Sequence, residues 1–99
     1  MLRITVQEEP NVLTLKLEGR IADQSFKEFE STWQKLSGSL GSRKLCLDIR
    51  GMTFISAEGR KLLARIHEKS HNDFRANTPL TTFVAQEATH HRNTQDEER

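Results

Sequence analysis

The chain has 99 residues, which is enough for one domain with a modest core and too few for two. Its 15 Lys and Arg residues balance 14 Asp and Glu residues, so the formal net charge is +1. No long basic run is present, and no apolar stretch approaches the ~18 residues of a membrane span. The single cysteine, Cys46, excludes an internal disulfide. We therefore expect a soluble cytoplasmic protein without nucleic-acid or membrane partners.

The first two predicted elements are strands that form a hairpin. Residues 2–7 alternate apolar and polar side chains, which is the period of a half-buried strand. Residues 12–18 alternate again, and the chain between the two segments, Glu8-Glu9-Pro10-Asn11, has the composition of a turn. Two strands joined by so short a turn are expected to pair antiparallel.

A helix and a third strand are predicted after the hairpin. Asp23 or Ser25 is expected to cap the helix at its N-terminus. The segment 37–43, which contains two glycines, is predicted to be a loop, and residues 44–49 a strand. The helix itself is predicted from large apolar residues spaced by three, four and three positions, namely Phe26, Phe29, Trp33 and Leu36.

Two more helices and a short strand are predicted in the second half of the chain. Residues 57–70 are expected to form a helix, and residues 73–76 a short fourth strand. Thr78-Pro79 has the composition of a helix start, with Thr at the cap and Pro at the first helical position. A strand over residues 80–84 is the competing assignment, because Thr and Val are β-formers.

The strand pattern predicts an α/β fold of the α+β type. Each clear strand is apolar on one side only, whereas buried parallel strands would be apolar throughout. We therefore expect a mixed four-stranded sheet with helices packed on one face, in the order β-β-α-β-α-β-α. The passage 44–76 is expected to form a right-handed parallel crossover. This single domain is expected to span residues 1–90, and the polar tail 91–99 is expected to be disordered.

One segment resembles a known family. It is residues 48–63, DIRGMTFISAEGRKLL, which are predicted to pass from a strand through a turn into a helix. Together with the order of elements and the stretch LTLKLEGRI at residues 13–21, it resembles the STAS domain. That is the fold of bacterial anti-sigma-factor antagonists and of the cytoplasmic tails of sulfate transporters. The resemblance extends from about Leu2 to Ala88 and implies a non-enzymatic domain that binds other proteins.

The resemblance also implies a regulated position in the turn before the second helix. In regulated members a Ser or Thr at that position is phosphorylated by a partner kinase, which is often itself the anti-sigma factor. When the chain is aligned on Gly59, the position is occupied by Ala57, which has no hydroxyl group. Phosphorylation at the usual site of the family is therefore impossible in this chain.

The sequence leaves three interpretations of Ser56-Ala57-Glu58 open. In the first, Ser56 caps the second helix and Glu58 interacts with the helix dipole, contributing roughly 1 and 0.3–1 kcal/mol. In the second, Glu58 supplies a permanent negative charge to a protein-binding surface. In the third, Ser56 is itself phosphorylated, with the phosphate at the helix N-terminus.

The resemblance implies a partner-binding surface at this turn and the neighbouring loop after the second strand, because both lie at the same end of the sheet in the family. The expected partner is an anti-sigma-type switch kinase or another regulatory protein. The alternative function is a constitutive homodimeric structural or scaffolding domain, formed through the open sheet face or the strand edge at residues 2–7. The residues predicted to bind the partner are Phe54, Ile55, Ser56, Ala57, Glu58, Gly59, Arg60, Arg20 and Asp23.

No grouping of residues in the sequence indicates catalysis. Asp48, Ser56 and His67 lie on neighbouring predicted elements, but Ser56 lacks the Gly-x-Ser-x-Gly elbow of a hydrolase nucleophile. His67 and His71 have a spacing that can bind a metal, yet no third ligand is evident. We therefore predict a protein that is not an enzyme and that uses no cofactor or metal.

Overall fold

A computed structural model describes the backbone of residues 1–97 and the side chains of residues 1–89. Within that part of the chain the strands alternate with helices as the sequence predicted, in the order β-β-α-β-α-β-α. The strands are β1 (Leu2–Glu8), β2 (Val12–Ile21), β3 (Lys44–Ile55) and β4 (Asp73–Arg75). The helices are α1 (Gln24–Ser39), α2 (Ala57–Ser70) and α3 (Pro79–Glu97).

The four strands form one mixed sheet in the order β1-β2-β3-β4. Strands β1 and β2 pair antiparallel, as expected for a hairpin with a short turn. Strand β3 pairs parallel with β2 and with β4, so β1 and β4 are the edges of the sheet. The predicted mixed α+β architecture is therefore confirmed.

A single hydrophobic core lies on one face of the sheet. Leu13 lies opposite Leu45, and Leu15 opposite Leu47, so the apolar positions of β2 and β3 share that face. All three helices contribute to the same cluster, which places them over this face. The helix residues buried in it are Phe29, Trp33, Leu62, Leu63, Ala64, Ile66, Val84 and Ala88.

Strand β3 is longer than predicted, because it continues past Ile49 to Ile55. The sequence Arg50-Gly51 resembles a turn, but the backbone stays extended and paired with β2. The register shifts between Lys16 and Glu18, and a Cβ atom added at Gly51 would lie 2.7 Å from the Glu18 Cγ atom. Glycine at position 51 therefore permits the close approach of β3 to Glu18 of β2, so that the two strands stay paired beyond the register shift.

The helix limits also differ in part from those predicted. Helix α1 continues to Ser39, so the loop before β3 is shorter than the predicted 37–43. Helix α2 has the predicted limits, and β4 ends one residue earlier than the predicted 73–76. Residues 80–84 belong to helix α3 and not to a strand.

Helix α3 begins with two reciprocal side-chain caps. Thr78 Oγ1 accepts a hydrogen bond from the Thr81 N–H at 3.1 Å, and Thr81 Oγ1 accepts one from the Thr78 N–H at 3.0 Å. These bonds satisfy backbone donors that a helix start leaves unpaired, which favours helix over the competing strand. Thr81 is fully buried.

Helix α3 continues to Glu97, whereas the sequence predicted a disordered tail from residue 91. No Gly or Pro follows Pro79, so nothing in the sequence interrupts a helical backbone there. Residues 98–99 of the predicted tail lie outside the described residues. Within residues 1–97 no helix is both long enough and apolar enough to cross a membrane.

Candidate functional site

The ends of β2 and β3 bring the predicted partner-binding residues to one end of the sheet. Ile21 lies opposite Ile55, and the Ser56 N–H donates to the Ile21 carbonyl oxygen at 2.9 Å. The turn into α2 and the loop into α1 therefore start side by side. We call the surface formed by Arg20, Asp23 and residues 54–60 the turn surface.

Ser56 is the N-cap of helix α2. Its Oγ atom accepts a hydrogen bond from the Gly59 N–H at 3.1 Å, and its backbone is extended at φ −66° and ψ 166°. Glu58 lies in the first turn, where a negative charge interacts favourably with the helix dipole. The capping role in the first interpretation is thus confirmed, while phosphorylation of Ser56 stays a prediction.

Ala57 and Glu58 follow the N-cap residue Ser56, and both are exposed to solvent. The side chain of Ala57 is a methyl group, which has no hydroxyl to modify. Among the side chains of residues 1–89, no basic group forms an ion pair with Glu58. The carboxylate of Glu58 is therefore available to a binding partner.

Ile55 and Gly59 are the two buried residues of the turn surface. Ile55 is 2% exposed, and Gly59 is also buried. A Cβ atom added at Gly59 would lie 2.9 Å from the Ile21 Cγ2 atom and 3.0 Å from the Ile55 Cγ2 atom. These two predicted contact residues therefore position the turn, because the α2 backbone at Gly59 packs directly on the strand-end side chains of Ile21 and Ile55.

Arg60 is held by contacts within the domain. Its Nη1 atom donates to the Ile55 carbonyl oxygen at 3.1 Å, and its Nε atom lies 3.1 Å from the Glu87 Oε1 atom. These bonds join the end of β3, the start of α2 and helix α3. Glu87 was not predicted as part of the site, because only the packing of α3 against α2 brings it near Arg60.

Arg20 and Phe54 form an exposed pair beside the turn. They lie opposite each other on β2 and β3, and the Arg20 guanidinium carbon lies 4.6 Å from the centroid of the Phe54 ring. Phe54 is 40% exposed. Arginine and aromatic side chains are enriched among the residues that dominate binding energy at protein interfaces.

Asp23 occupies a tight turn between β2 and α1. The Ser25 N–H donates to the Ala22 carbonyl oxygen at 3.1 Å, and Asp23 has φ 53° and ψ −115°. These angles are those of the first central position in a type II′ turn, which is dominated by glycine. Asp23 is the N-cap residue of α1, but its side chain makes no capping hydrogen bond.

Ser25 stabilises the turn around Asp23 instead of capping α1. Its Oγ atom accepts a hydrogen bond from the Ala22 N–H at 2.8 Å. The same Oγ atom lies 2.9 Å from the Arg20 carbonyl oxygen and 2.8 Å from that of Ala22. The expectation that Asp23 or Ser25 provides a side-chain cap is therefore wrong, because Ser25 bonds backward to the loop.

Asp48, Ser56 and His67 do not form a catalytic grouping. The Asp48 carboxylate accepts hydrogen bonds from the Arg50 side chain at 3.0 and 2.8 Å, seven residues before Ile55 along β3. These bonds lower the pKa of Asp48. His67 Nδ1 lies 3.1 Å from the Asn72 carbonyl oxygen at the opposite end of α2 from Ser56.

Comparisons with known proteins identify the fold. No family model and no curated protein matches the sequence. A crystal structure of an anti-sigma factor antagonist from Mycobacterium paratuberculosis aligns at a TM-score of 0.61 with 18% identity, over 99% of this chain and 82% of that chain.

Two crystal structures of Mglu also match. One aligns at a TM-score of 0.58 with 22% identity, and a native form aligns at 0.54 with 18% identity. They cover 76% and 75% of this chain, which spans only 19% and 22% of the Mglu chains. At these identities the likeness establishes the fold alone, and the chain has the STAS-like fold of an anti-sigma factor antagonist, as the sequence predicted.

Proposed function

We propose that this domain is a non-enzymatic protein-interaction module of the anti-sigma-factor-antagonist type, acting in a bacterial cytoplasm. Its partner is an anti-sigma-type switch kinase or another regulatory protein. The observation that supports this most directly is the exposed Arg20–Phe54 pair next to the available Glu58 carboxylate. These groups lie together in a fold shared with an anti-sigma factor antagonist.

The contact surface is formed by rigid elements. Phe54 is held on β3, Glu58 on the first turn of α2, and Arg60 fastens that turn through its bonds to Ile55 and Glu87. A partner therefore meets a preorganised surface, which lowers the entropic cost of binding. An aromatic ring and a guanidinium group on this surface are side chains of the kinds that most often dominate affinity.

Binding at this surface has no phosphorylation switch at the family's usual position. Ala57 cannot accept a phosphate, and Glu58 places a carboxylate side chain beside it. The Ser56 hydroxyl is already engaged with the Gly59 N–H. We infer that binding depends on the shape of the turn and on the Glu58 side chain, without a phosphorylation switch at position 57.

The test is a charge reversal at Glu58, with the partner first identified by affinity capture and then purified. Glu58→Arg is expected to weaken binding at least tenfold, because a charge that faces the partner changes sign. It is expected to lower the free energy of unfolding by only about 0.3–1 kcal/mol, the dipole contribution. Isothermal titration calorimetry and urea unfolding measure the two effects separately.

The matched control is Glu68→Arg. Glu68 is also exposed on α2, but it lies near the C-terminal end of the helix, away from the turn surface. The affinity of Glu68→Arg is expected to equal that of the wild type. Equal losses of affinity in both variants, or an unchanged affinity in Glu58→Arg, would contradict the proposed surface.

A further inference from the structure

Strand β1 is a long edge strand with an unoccupied outer side. It pairs with β2 over all seven of its residues, from Leu2 to Glu8, without a register shift. No other strand lies against its outer side within the described residues. An edge of this kind presents a row of backbone donors and acceptors to any strand that approaches it.

The hydrogen bonds at the two ends of β1 show which backbone groups point outward. The Arg20 N–H donates to the Met1 carbonyl oxygen at 3.0 Å, and the Glu9 N–H donates to the Val12 carbonyl oxygen at 2.9 Å. In an antiparallel strand the N–H and C=O groups of one residue point to the same side, and that side alternates from residue to residue. Since Met1 and Glu9 bond to β2, the odd-numbered residues of β1 bond to β2. The groups that point outward therefore belong to Leu2, Ile4, Val6 and Glu8.

The centre of this edge lacks the features by which proteins usually block edge pairing. Residues 4–7, Ile-Thr-Val-Gln, contain no charge and no proline, and the ladder with β2 has no bulge. Ile4 and Val6 lie on the helix-bearing face of the sheet, opposite Leu17 and Leu15. Val6 is 38% exposed, so an apolar side chain of this strand is incompletely covered at the edge.

We propose that β1 pairs antiparallel with β1 of a second copy of this chain, about a two-fold axis at Thr5. In this register Ile4 lies opposite Val6 of the second copy, and Leu2 lies opposite its Glu8. Every outward N–H and C=O group of Leu2, Ile4, Val6 and Glu8 then has a partner. If the two β1 strands were shifted by two residues in either direction, the outward backbone groups of one of these four residues would have no partner in each copy.

The side chains of β1 fit the same register. Pairing of Ile4 with Val6 of the second copy covers the exposed part of Val6 and joins the two cores along one face. Arg3 lies opposite Gln7, so no like charges face each other. The Glu8 carboxylate is bound by the Arg43 Nη1 atom at 2.9 Å, which compensates its charge next to Leu2. Two four-stranded sheets thereby become one sheet of eight strands, with all helices on one side.

The first test removes one outward N–H group. Val6→Pro deletes a donor that does not belong to the β1–β2 ladder, and proline is tolerated on an edge strand. Val6→Ala is the control, because it also shortens the side chain but keeps the N–H group. By light scattering, the wild type and Val6→Ala are expected to be dimers and Val6→Pro a monomer. A wild type that is monomeric at all concentrations, or a dimeric Val6→Pro, would overturn the proposal.

The second test uses cysteines in a Cys46→Ser background. The two Thr5 residues form a pair without hydrogen bonds on the axis, where Cα atoms lie about 4.5 Å apart, within the range of a disulfide. Thr5→Cys is expected to give a disulfide-linked dimer under mild oxidation. Arg3→Cys is the control, because its copies lie roughly 13 Å apart along the strands. Equal cross-linking at both positions, or none at position 5, would exclude this register.

Discussion

Asp23 has a backbone conformation that ordinarily belongs to glycine. Its φ of 53° and ψ of −115° suit glycine, and a side chain there costs of order 1–3 kcal/mol. The strain persists because the Ser25 hydroxyl and the pairing of Ile21 with Ile55 fix the loop on both sides. The Asp23 carboxylate is exposed on the turn surface, and it makes no capping bond that would offset the strain.

Asp23→Gly is expected to raise the free energy of unfolding by about 1 kcal/mol, because glycine adopts this conformation without strain. Asp23→Ala removes the same carboxylate but keeps a Cβ atom, so it is expected to give no gain. Urea unfolding of the two variants separates the backbone effect from the loss of charge. Equal stabilisation in both would show that charge, and not backbone strain, governs stability at this position.

At the scale of elements, the docking of helix α2 on the sheet depends on Gly59. The first turn of the helix approaches Ile21 and Ile55 so closely that an added Cβ atom would lie 3.0 Å or less from both side chains. Ile21 and Ile55 are buried and β-branched, so they have little freedom to move aside. The position of Ala57 and Glu58 is therefore set by a contact between a helix backbone and two strand ends.

Gly59→Ala is expected to lower the free energy of unfolding by about 1–3 kcal/mol through overpacking, even though Ala is the better helix former. Gly38→Ala is the matched control in helix α1, since nothing lies within 4 Å of an added Cβ atom there. That variant is expected to be neutral or more stable by up to about 1 kcal/mol. Denaturant unfolding measures both, and a loss in Gly38→Ala as large as in Gly59→Ala would contradict the packing argument.

For the whole molecule, one charge pair in the sheet links stability to pH. The Arg50 side chain donates to both Asp48 carboxylate oxygens and lowers the pKa of Asp48 from its ordinary value of 3.8. A carboxyl group whose pKa is lower in the folded state stabilises the fold at higher pH. This contribution is complete above the unfolded-state pKa and is lost as pH falls through the folded-state pKa.

Asp48→Asn is therefore expected to be less stable than the wild type at neutral pH. The difference is expected to shrink once the pH falls below 3.8, as the wild type loses its ionised partner for Arg50. The control is Asp73→Asn, because Asp73 is exposed and forms no ion pair among residues 1–89. The free energy of unfolding of this variant should equal that of the wild type at every pH. Urea unfolding across the acid range tests this, and a constant difference for Asp48→Asn would contradict the assignment.

Much of the fold could be predicted from local patterns, because each pattern reflects which side of an element is buried. The alternation of apolar and polar residues in β1 and β2, and the row of apolar residues in α1 that begins at Phe26, show which side is buried. Ser56 and Thr78 mark helix starts, because their hydroxyl groups can cap a helix. The extension of β3 past Ile49 could not be predicted in this way. It depends on pairing with β2 across a register shift, which Gly51 permits.

For the candidate site, the chemical groups could be read from the sequence: a capping Ser56, an Ala57 without a hydroxyl, and an acidic Glu58. Which of the predicted residues are accessible depends on how the elements pack in three dimensions. The tertiary structure buries Ile55 and Gly59, engages Arg60 with Glu87, and places Arg20 over Phe54. Chemical identity is a local property of the chain, whereas exposure and pairing depend on which distant elements pack together.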